Sequence, residues 1–424
     1  MTAHRTAVPQ HAATPEDSAR PDRTALSMDD GYEHIARSAL SAGPVGPVGL
    51  ELECHLVDLQ RPAARVSWAA LEPLLGSVPP LPGGSRLSVE PGGQVELSTP
   101  PTADVASSIA ALRGDRDVLA ARLTAAGYGL ASIGSDPARP PQRVNPASRY
   151  ASMEQHFDAV GSGAAGRAMM ASTAALQINV EAGNADQWAE RVAHLHRLGP
   201  VLVAISACSP LLVGRASGWK SMRQQVWGDL DQARCGPLPG GVPSTRWADY
   251  ALAAPVMLVR KTGTGDAVPV LGRVSFADWI SGVPLGGRAP NLDDLDTHLS
   301  TLFPPVRPRG YLEVRYLDAV PERWWPALAA LTVTLMDDPV AAEACEPVVG
   351  NWRTAARSGL DDPTLARAAA DCVDVASRRC PPHLQAQVER YAELIGRGRT
   401  PGDELADLAA TRGALAALEE EAHA

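Results

Sequence analysis

The segment VGLELECHLVDL, residues 48–59, constrains the fold more than any other part of the chain, because apolar and polar side chains alternate along it. Side chains point to alternate faces of a β-strand. Leu50, Leu52 and Leu56 therefore share one face, and Glu51, Glu53 and His55 share the other. This pattern predicts a strand with an apolar face and an acidic face. A single strand of this kind needs no function, because antiparallel sheets often keep one polar face in water.

Three further segments, GQVELS, ALQINVE and YLEVRYLD, repeat the alternation. Their polar faces carry Glu96, Gln177 and Glu313, and Glu90 stands at the adjacent Pro-Gly-Gly turn. A solvated polar face usually mixes both signs of charge, since like charges on neighbouring strands repel. None of these strand segments contains a lysine. We therefore expect the carboxylates to converge if the strands share one sheet.

Converging carboxylates must be protonated through mutual repulsion or neutralised by cations. Oxygen ligands suit hard ions such as Mg²⁺ or Mn²⁺, whereas zinc favours cysteine and histidine. Because Mg²⁺ most often bridges phosphate oxygens, the pattern predicts a site for a metal and a nucleotide. The chain contains no G-x-x-x-x-G-K-[ST] phosphate-binding loop, so we expect metals and arginines to hold any ATP.

The composition argues against several classes of protein. The formal net charge is −10 and no Lys/Arg-rich run occurs, which disfavours general binding to nucleic acid or to an anionic membrane. The 6 cysteines form no C-x-x-C pair, which disfavours a disulfide framework and a zinc ribbon. The N-terminal residues lack the apolar core of a signal peptide. We expect a cytoplasmic protein that acts on small molecules.

The order of these patterns predicts an α+β fold. Residues 1–28 are rich in Ala, Pro, Thr and charge without periodicity, which is typical of a disordered tail. No convincing linker interrupts residues 29–424, so we expect a single catalytic domain. Residues 104–126 place apolar side chains at three- and four-residue spacing after an aspartate suited to N-capping, which predicts an amphipathic helix. Residues 321–424 are Ala- and Leu-rich and predict a mainly helical C-terminal portion.

Two long blocks resemble the glutamate–cysteine ligase family. The first reads SMRQQVWGDLDQARCG and the second HLSTLFPPVRPRGYLEVRYLD, and GLELE, VEPGGQVELSTPP and RYASM precede them in the family's order. The resemblance is to the plant-like branch, which has bacterial members, and it extends from about residue 48 to residue 340. The preference for arginine over lysine and the strand ECHLVD resemble the members that supply γ-glutamylcysteine for ergothioneine synthesis.

The resemblance implies an ATP-dependent ligase built on a curved, mainly antiparallel sheet similar to that of glutamine synthetase, with flanking helices. It also implies an acidic funnel that holds two or three Mg²⁺ ions, with Mn²⁺ as an alternative. The residues at the family's metal-ligand positions are Glu51, Glu53, Glu90, Glu96, Glu313 and Gln177. Some relatives carry histidine at the position of Gln177, which puts direct coordination there in doubt.

The resemblance also assigns roles to arginines. Arg149 and Arg223 match arginines that hold the substrate glutamate. Arg315 falls where an arginine would meet the ATP phosphates or an acyl phosphate, and we expect Arg315 and Glu53 to be catalytic. Trp227 and Arg234 lie in the same signature, where we expect them to contribute to substrate binding.

The implied reaction begins with attack of the γ-carboxylate of glutamate on the γ-phosphorus of ATP, and the amine of cysteine then displaces phosphate from γ-glutamyl phosphate. Two alternatives stay open at this point. A ligase with the same ATP and glutamate machinery could use a different amine, since acceptor choice depends on pocket shape. A non-catalytic Mg²⁺- or nucleotide-binding protein could retain the fold. The sequence is compatible with a monomer or a small homo-oligomer.

Overall fold

The computed structural model describes residues 25–423. The strands in this range are β1 (Val48–Asp58), β2 (Arg86–Val89), β3 (Val95–Ser98), β4 (Tyr128–Ala131), β5 (Ala175–Val180), β6 (Leu211–Leu212), β7 (Arg215–Ala216), β8 (Leu258–Arg260), β9 (Ala267–Pro269), β10 (Val306–Pro308) and β11 (Leu312–Asp318). One sheet has the order β10-β11-β5-β1-β3-β2, and β4 pairs with the second half of β1. Every pairing in this sheet is antiparallel, which confirms the mainly antiparallel sheet that the resemblance implies.

Helices account for much of the remaining described chain. They are α1 (Met28–Ala39), α2 (Trp68–Gly76), α3 (Val105–Ala125), α4 (Ser148–Ala159), α5 (Gly163–Ser172), α6 (Trp188–Ser206), α7 (Met222–Gly228), α8 (Gln232–Cys235), α9 (Pro243–Ala253), α10 (Phe276–Ile280), α11 (Leu292–Leu299), α12 (Trp325–Leu335), α13 (Pro339–Cys345), α14 (Trp352–Ser358), α15 (Pro363–Arg379), α16 (Pro382–Gly396), α17 (Pro401–Arg412) and α18 (Ala414–His423). None of the helices in residues 25–423 combines the length and apolarity that crossing a membrane requires.

The apolar face of the sheet supplies the centre of the core. Leu50 and Leu52 of β1 are fully buried, as are Leu176 and Ile178 of β5. Burial of each such side chain stabilises the fold by about 2 kcal/mol relative to exposure. Helices α3, α6, α12 and α18 contact the strands of this sheet. The polar face of the same strands is therefore left to form a site.

Helix α3 forms where the sequence predicts it. Asp104 caps it by accepting a hydrogen bond from the Ser107 amide at 2.8 Å. Its buried residues, among them Ile109, Leu112 and Leu119, recur at the spacing of a helix that covers a sheet. The prediction of an amphipathic helix over residues 104–126 is confirmed.

Residues 1–24 of the predicted disordered tail lie outside the described residues. The last part of that segment, residues 25–28, belongs to the fold, so the boundary predicted at residue 28 lies too far along the chain. Leu26 is buried, and Ser27 caps α1 by accepting a hydrogen bond from the Asp30 amide.

Candidate active site

The polar faces of four strands meet on the sheet. Glu53 of β1 lies directly opposite Glu96 of β3, and Glu51 lies opposite Gln177 of β5. On the other side of β5, Glu313 of β11 is opposite Asn179. Side chains alternate between the two faces of each strand, and the strands pair in register. The glutamates therefore lie on one face of the sheet, the face opposite the apolar core.

Burial and mutual repulsion set the charge state of the carboxylates on the β1–β3 side. Burial, followed by the charges of Glu96 and Glu313, raises the pKa of Glu51 to about 7. Burial also raises the pKa of Glu53, although the charge of Arg223 opposes this shift. The pKa of Glu96 is raised by burial and by Glu53. These groups therefore favour a proton or a bound cation over bare ionisation.

Glu90 occupies the turn between β2 and β3. Burial, together with Glu96 and Glu53, raises its pKa well above the usual carboxyl value. The turn is held closely against the end of α5, since a Cβ added to Gly92 would lie 2.5 Å from backbone atoms of Ala171. Glycine is required at this position by the close approach of the two segments.

Glu313 has a different environment. Arg307 binds it through two nitrogens, with Nη2 2.9 Å from Oε1. Arg315 Nη1 lies 3.2 Å from the other oxygen, and Arg309 Nη1 lies 3.6 Å from Oε1. Although burial opposes it, this set of arginines lowers the pKa of Glu313 to about 2. Its charge is already neutralised by the protein.

Gln177 connects the two sides of the face. Its amide oxygen accepts a hydrogen bond from Arg315 Nη1 at 2.6 Å, and its amide nitrogen donates to Glu51 and Glu53 at 3.3 Å each. Asn179 donates to Glu51 at 2.9 Å. The two amides thus fix the carboxylates of β1 from the neighbouring strand.

A cavity with about 180 Å³ of accessible space opens beside these carboxylates. Its charged lining consists of Glu53, Glu90, Arg149, Arg223 and Arg315. Its apolar wall includes the methionines of α4 and α5, at positions 153, 169 and 170, and Trp227 lies at its edge. Five of the predicted site residues with charge therefore share one cavity.

Two donors on residues that line this cavity have no hydrogen-bond acceptor among the described residues. They are Nη1 of Arg223 and Nε1 of Trp227, which lie one turn apart on α7. The other terminal nitrogen of Arg223 donates to the carbonyl of Arg315 at 2.8 Å, and the side chain of Arg223 is only 4% exposed. A buried donor without a partner costs free energy, so acceptor oxygens of a ligand that reached this pair would bind favourably.

The remaining predicted residues divide into two groups. Arg149, at the start of α4, lines the cavity and donates to the Ser300 carbonyl at 2.9 Å. Arg234 does not line it, because its guanidinium is fully buried and donates to the carbonyls of Thr301 and Pro255. Arg149 therefore belongs to the lining of the cavity, whereas Arg234 does not.

His55, which shares the alternation of Glu51 and Glu53, also lies away from the cavity. At this point β1 pairs with β4 rather than with β3 and β5. His55 is 1% exposed and lies beside Arg65 and Arg139, and burial lowers its pKa to about 3. It belongs to a separate buried polar cluster.

Several lining residues were not identified from the sequence. They are Tyr150, Met153, Met169, Met170 and Thr173. Tyr150 and Met153 belong to RYASM, which is part of the resemblance, but methionine carries no charge pattern that would mark it as part of a site. Asn179 lies on the same face of β5 as Gln177, and its bond to Glu51 depends on the register of β1 and β5.

Only the carboxylates on the β1–β3 side of the polar face are suited to bind a hard cation. Within residues 25–423, no three His, Cys, Asp or Glu side chains are grouped closely enough to hold a metal ion in the conformation described. Glu51, Glu53 and Glu96 nevertheless offer oxygen atoms whose ionisation is disfavoured by burial and repulsion, which a cation would relieve. Glu313 does not fit this role as it stands, because arginines already occupy both its oxygens.

Comparison with known proteins shows which family the chain belongs to. Residues 47–421 match the model described as glutamate–cysteine ligase family 2 (GCS2), and the chain belongs to this family. It is 50% identical to the glutamate–cysteine ligase EgtA of Mycolicibacterium smegmatis over 402 residues, which cover 93% of this chain and 94% of the relative. It is 30% identical to the chloroplastic glutamate–cysteine ligase of Nicotiana tabacum over 351 residues, which cover 77% of this chain and 66% of the relative.

A solved structure shows the same fold at low identity. The glutamate–cysteine ligase of Francisella tularensis in complex with AMP matches with a TM-score of 0.56 and 12% identity, covering 90% of this chain and 88% of that one. The α+β architecture with an antiparallel sheet and many helices is therefore shared with a ligase of distant sequence.

Proposed function

We propose that the chain is an ATP-dependent glutamate–cysteine ligase that forms γ-glutamylcysteine, ADP and phosphate, and that it serves ergothioneine biosynthesis. The 50% identity to EgtA over nearly the full length of both chains supports this activity. The observation in the site that carries the proposal is the pair of unpartnered donors, Arg223 Nη1 and Trp227 Nε1, beside buried carboxylates. The arginines that line the cavity would bind the carboxylate of an amino acid, and the glutamates would bind cations that accompany ATP.

Arginines would organise the negative charges of the reaction. Arg223 and Arg149 would hold the carboxylates of glutamate, because both line the cavity and charge-assisted bonds to carboxylate are strong. Arg315 lies between Gln177 and Glu313 and also lines the cavity. Its fixed position would stabilise charge on the transferring phosphoryl group without reorganisation during the reaction.

The acidic residues would form the funnel for two or three Mg²⁺ ions, or Mn²⁺. Glu51, Glu53, Glu90 and Glu96 fit the role best, because each has a pKa raised by burial and by neighbouring carboxylates. Glu313 and Gln177 would join only after giving up contacts to arginine. When bound, the ions would supply positive charge to the phosphate oxygens.

Glutamate would attack the γ-phosphorus of ATP through its γ-carboxylate, which forms γ-glutamyl phosphate and releases ADP. The amine of cysteine would then attack the acyl carbon, and phosphate would leave with the electron pair of the broken C–O bond. The chain's contribution is to align the reactants and to neutralise charge, which is what phosphoryl transfer mainly requires. Glu53 would be catalytic through the placement of the cations beside the transferring group.

The cell compartment and assembly state are part of the same proposal. All six cysteines are free and buried, in keeping with a reducing cytoplasm. Its partners would be glutamate, cysteine and ATP, and neither nucleic acid nor membrane. We propose a monomer or a small homo-oligomer, which sedimentation of the purified chain would measure.

The test is release of ADP by the purified protein with ATP, Mg²⁺ and glutamate, with cysteine or another amine as acceptor, and with products identified by mass. We expect cysteine-dependent ADP and the mass of γ-glutamylcysteine. ADP release that depends on a different amine would reassign the acceptor, and no turnover with any amine would refute the ligase. Glu53→Gln should abolish turnover, whereas Glu393→Gln, on the exposed surface of α16, should not.

A further inference from the structure

Asp318, the last residue of β11, is buried with 1% exposure and accepts three hydrogen bonds. Its Oδ2 accepts from the Cys208 amide at 3.0 Å and from the Ser209 hydroxyl at 2.6 Å. Its Oδ1 accepts from the Ser221 hydroxyl at 2.9 Å. The packing is close, because a Cβ added to Gly134 would lie 2.6 Å from the carboxyl group. Asp318 does not line the cavity.

The two serines connect this carboxylate to the first turn of α7. Ser209 Oγ accepts a hydrogen bond from the Arg223 amide at 3.0 Å. Ser221 Oγ accepts one from the Gln224 amide at 3.2 Å and caps the helix. A hydroxyl has one proton to donate, and here both donate it to Asp318. The carboxylate thus fixes the direction of both hydroxyls and, through them, the backbone that carries Arg223.

Asp318 also faces the guanidinium of Arg223. Its Oδ1 lies 3.9 Å from Nη1, which is too far for a hydrogen bond but close enough to compensate a buried charge. The carbonyl of Arg315 holds Nη2 at 2.8 Å. The guanidinium is therefore held from two sides, and Arg223 is one of the residues that line the cavity.

We propose that Asp318 is a positioning residue for glutamate binding, which holds the guanidinium of Arg223 in place for the substrate carboxylate. The identity of the ligand as glutamate rests on the proposed function. An asparagine at this position would keep the shape but lose the charge. Its amide nitrogen would meet the donors at Cys208 and Ser209 in one orientation, and in the other it would face Ser221 and the guanidinium. Either orientation disturbs the arrangement that holds Arg223.

The experiment compares wild type with Asp318→Asn in the full chain, by steady-state kinetics for each substrate and by calorimetric binding of glutamate. We expect the KM and the Kd for glutamate to rise about ten-fold or more, with the KM for ATP unchanged. A matched control is Asp338→Asn, since Asp338 is also buried and caps α13 by accepting from the Val340 and Ala341 amides. It should lose stability without changing the KM for glutamate.

An equal loss for glutamate and ATP, or a loss of stability alone, would overturn the positioning role. Should Asp318→Asn not fold, Ser221→Ala keeps the carboxylate and removes one link, so it should raise the KM for glutamate by a smaller factor, and no change would refute the proposal. If wild type makes γ-glutamylcysteine and Asp318→Asn binds glutamate as tightly as wild type does, only the positioning role is refuted. Wild type that binds glutamate without turnover refutes the ligase, and the binding comparison then decides the role of Asp318. Wild type that binds no glutamate refutes both.

Discussion

Replacing Glu51 by glutamine should stabilise the metal-free protein while it abolishes cation-dependent activity. Burial and the charges of Glu96 and Glu313 raise the pKa of Glu51 from 4.5 to about 7. A carboxyl group whose pKa is raised on folding favours the folded state at low pH, and this contribution is lost as the pH rises through the folded-state value. Above pH 7 the folded protein must therefore hold an unfavourable charge that Glu51→Gln removes.

The size of the effect follows from the shift in pKa. A difference of roughly 2.5 pKa units corresponds to about 3.4 kcal/mol at 1.36 kcal/mol per unit. Glu51 is partly exposed, so solvent screening reduces the figure, and we expect about 1–3 kcal/mol at pH 8.5. Below pH 4.5 the two proteins should have the same stability, because the glutamate is then protonated in both states.

Thermal unfolding in a chelating buffer, at several pH values, measures this difference. For 424 residues, 1 kcal/mol corresponds to a shift in Tm on the order of 1 °C. Glu313→Gln is the matched control with the opposite sign. Its pKa is lowered to about 2 by arginines, so its charge stabilises the fold above pH 4.5, and its loss should cost about 3 kcal/mol at neutral pH.

Added Mg²⁺ completes the test. It should raise the Tm of wild type through binding to the folded state, and it should have less effect on Glu51→Gln. A lower Tm of metal-free Glu51→Gln than of metal-free wild type at pH 8.5 would refute the charge penalty at Glu51. Equal stabilisation of variant and wild type by Mg²⁺ would refute its role in binding the cation. Equal effects of Glu51→Gln and Glu313→Gln would show that the two carboxylates have the same environment, contrary to the arginine contacts described.

Three further substitutions test other parts of the site. Gly92→Ala should lower both Tm and kcat, because the added Cβ would lie 2.5 Å from the backbone of Ala171 and displace the turn that carries Glu90; unchanged kcat would show that the turn can move freely. Arg234→Lys should lower the free energy of unfolding by about 1–3 kcal/mol while the KM for glutamate stays the same, because its guanidinium binds buried backbone carbonyls; a raised KM with unchanged stability would place it in the substrate site. Trp227→Phe should raise the KM for glutamate by roughly two- to ten-fold with little change in Tm, because only the Nε1 donor and part of the ring are lost; an unaltered KM would remove Trp227 from the ligand contacts.

Local pattern was sufficient to predict the strands and their two faces. The alternation in β1 determines that Glu51 and Glu53 point the same way, whatever the strand pairs with. The apolar positions of α3 and its cap, Asp104, are likewise properties of adjacent residues. These predictions depend on neighbours within a few residues, which the sequence shows directly.

What the sequence did not show depends on pairing between distant segments. Glu313 was expected to bind metal, and nothing in its own strand reveals that the hairpin of β10 and β11 places Arg307 against it. His55 keeps the alternation of β1 but lies beyond the point where the strand exchanges its neighbours for β4. Arg234 belongs to the same signature as Arg223, yet α8 turns its side chain into the core.

Glu313 and the carboxylates of β1 have different electrostatic environments, so the two sides of one polar face could bind groups of different charge. Arginines neutralise Glu313, and the same Arg315 donates to Gln177, which in turn contacts Glu51 and Glu53. The arginines thus lower the pKa of Glu313 on the side of β11, whereas on the side of β1 and β3 burial outweighs the nearby positive charge and the pKa values stay raised. Cations that arrived with ATP would relieve the repulsion already present among these carboxylates in the free protein, and this relief would favour their binding. The carboxylate of the substrate would bind arginines that the fold holds in place. The phosphates of ATP would bind metal ions that enter and leave with the nucleotide. Each anionic group would then have a cationic partner that stays in the site or leaves it with that group's own molecule.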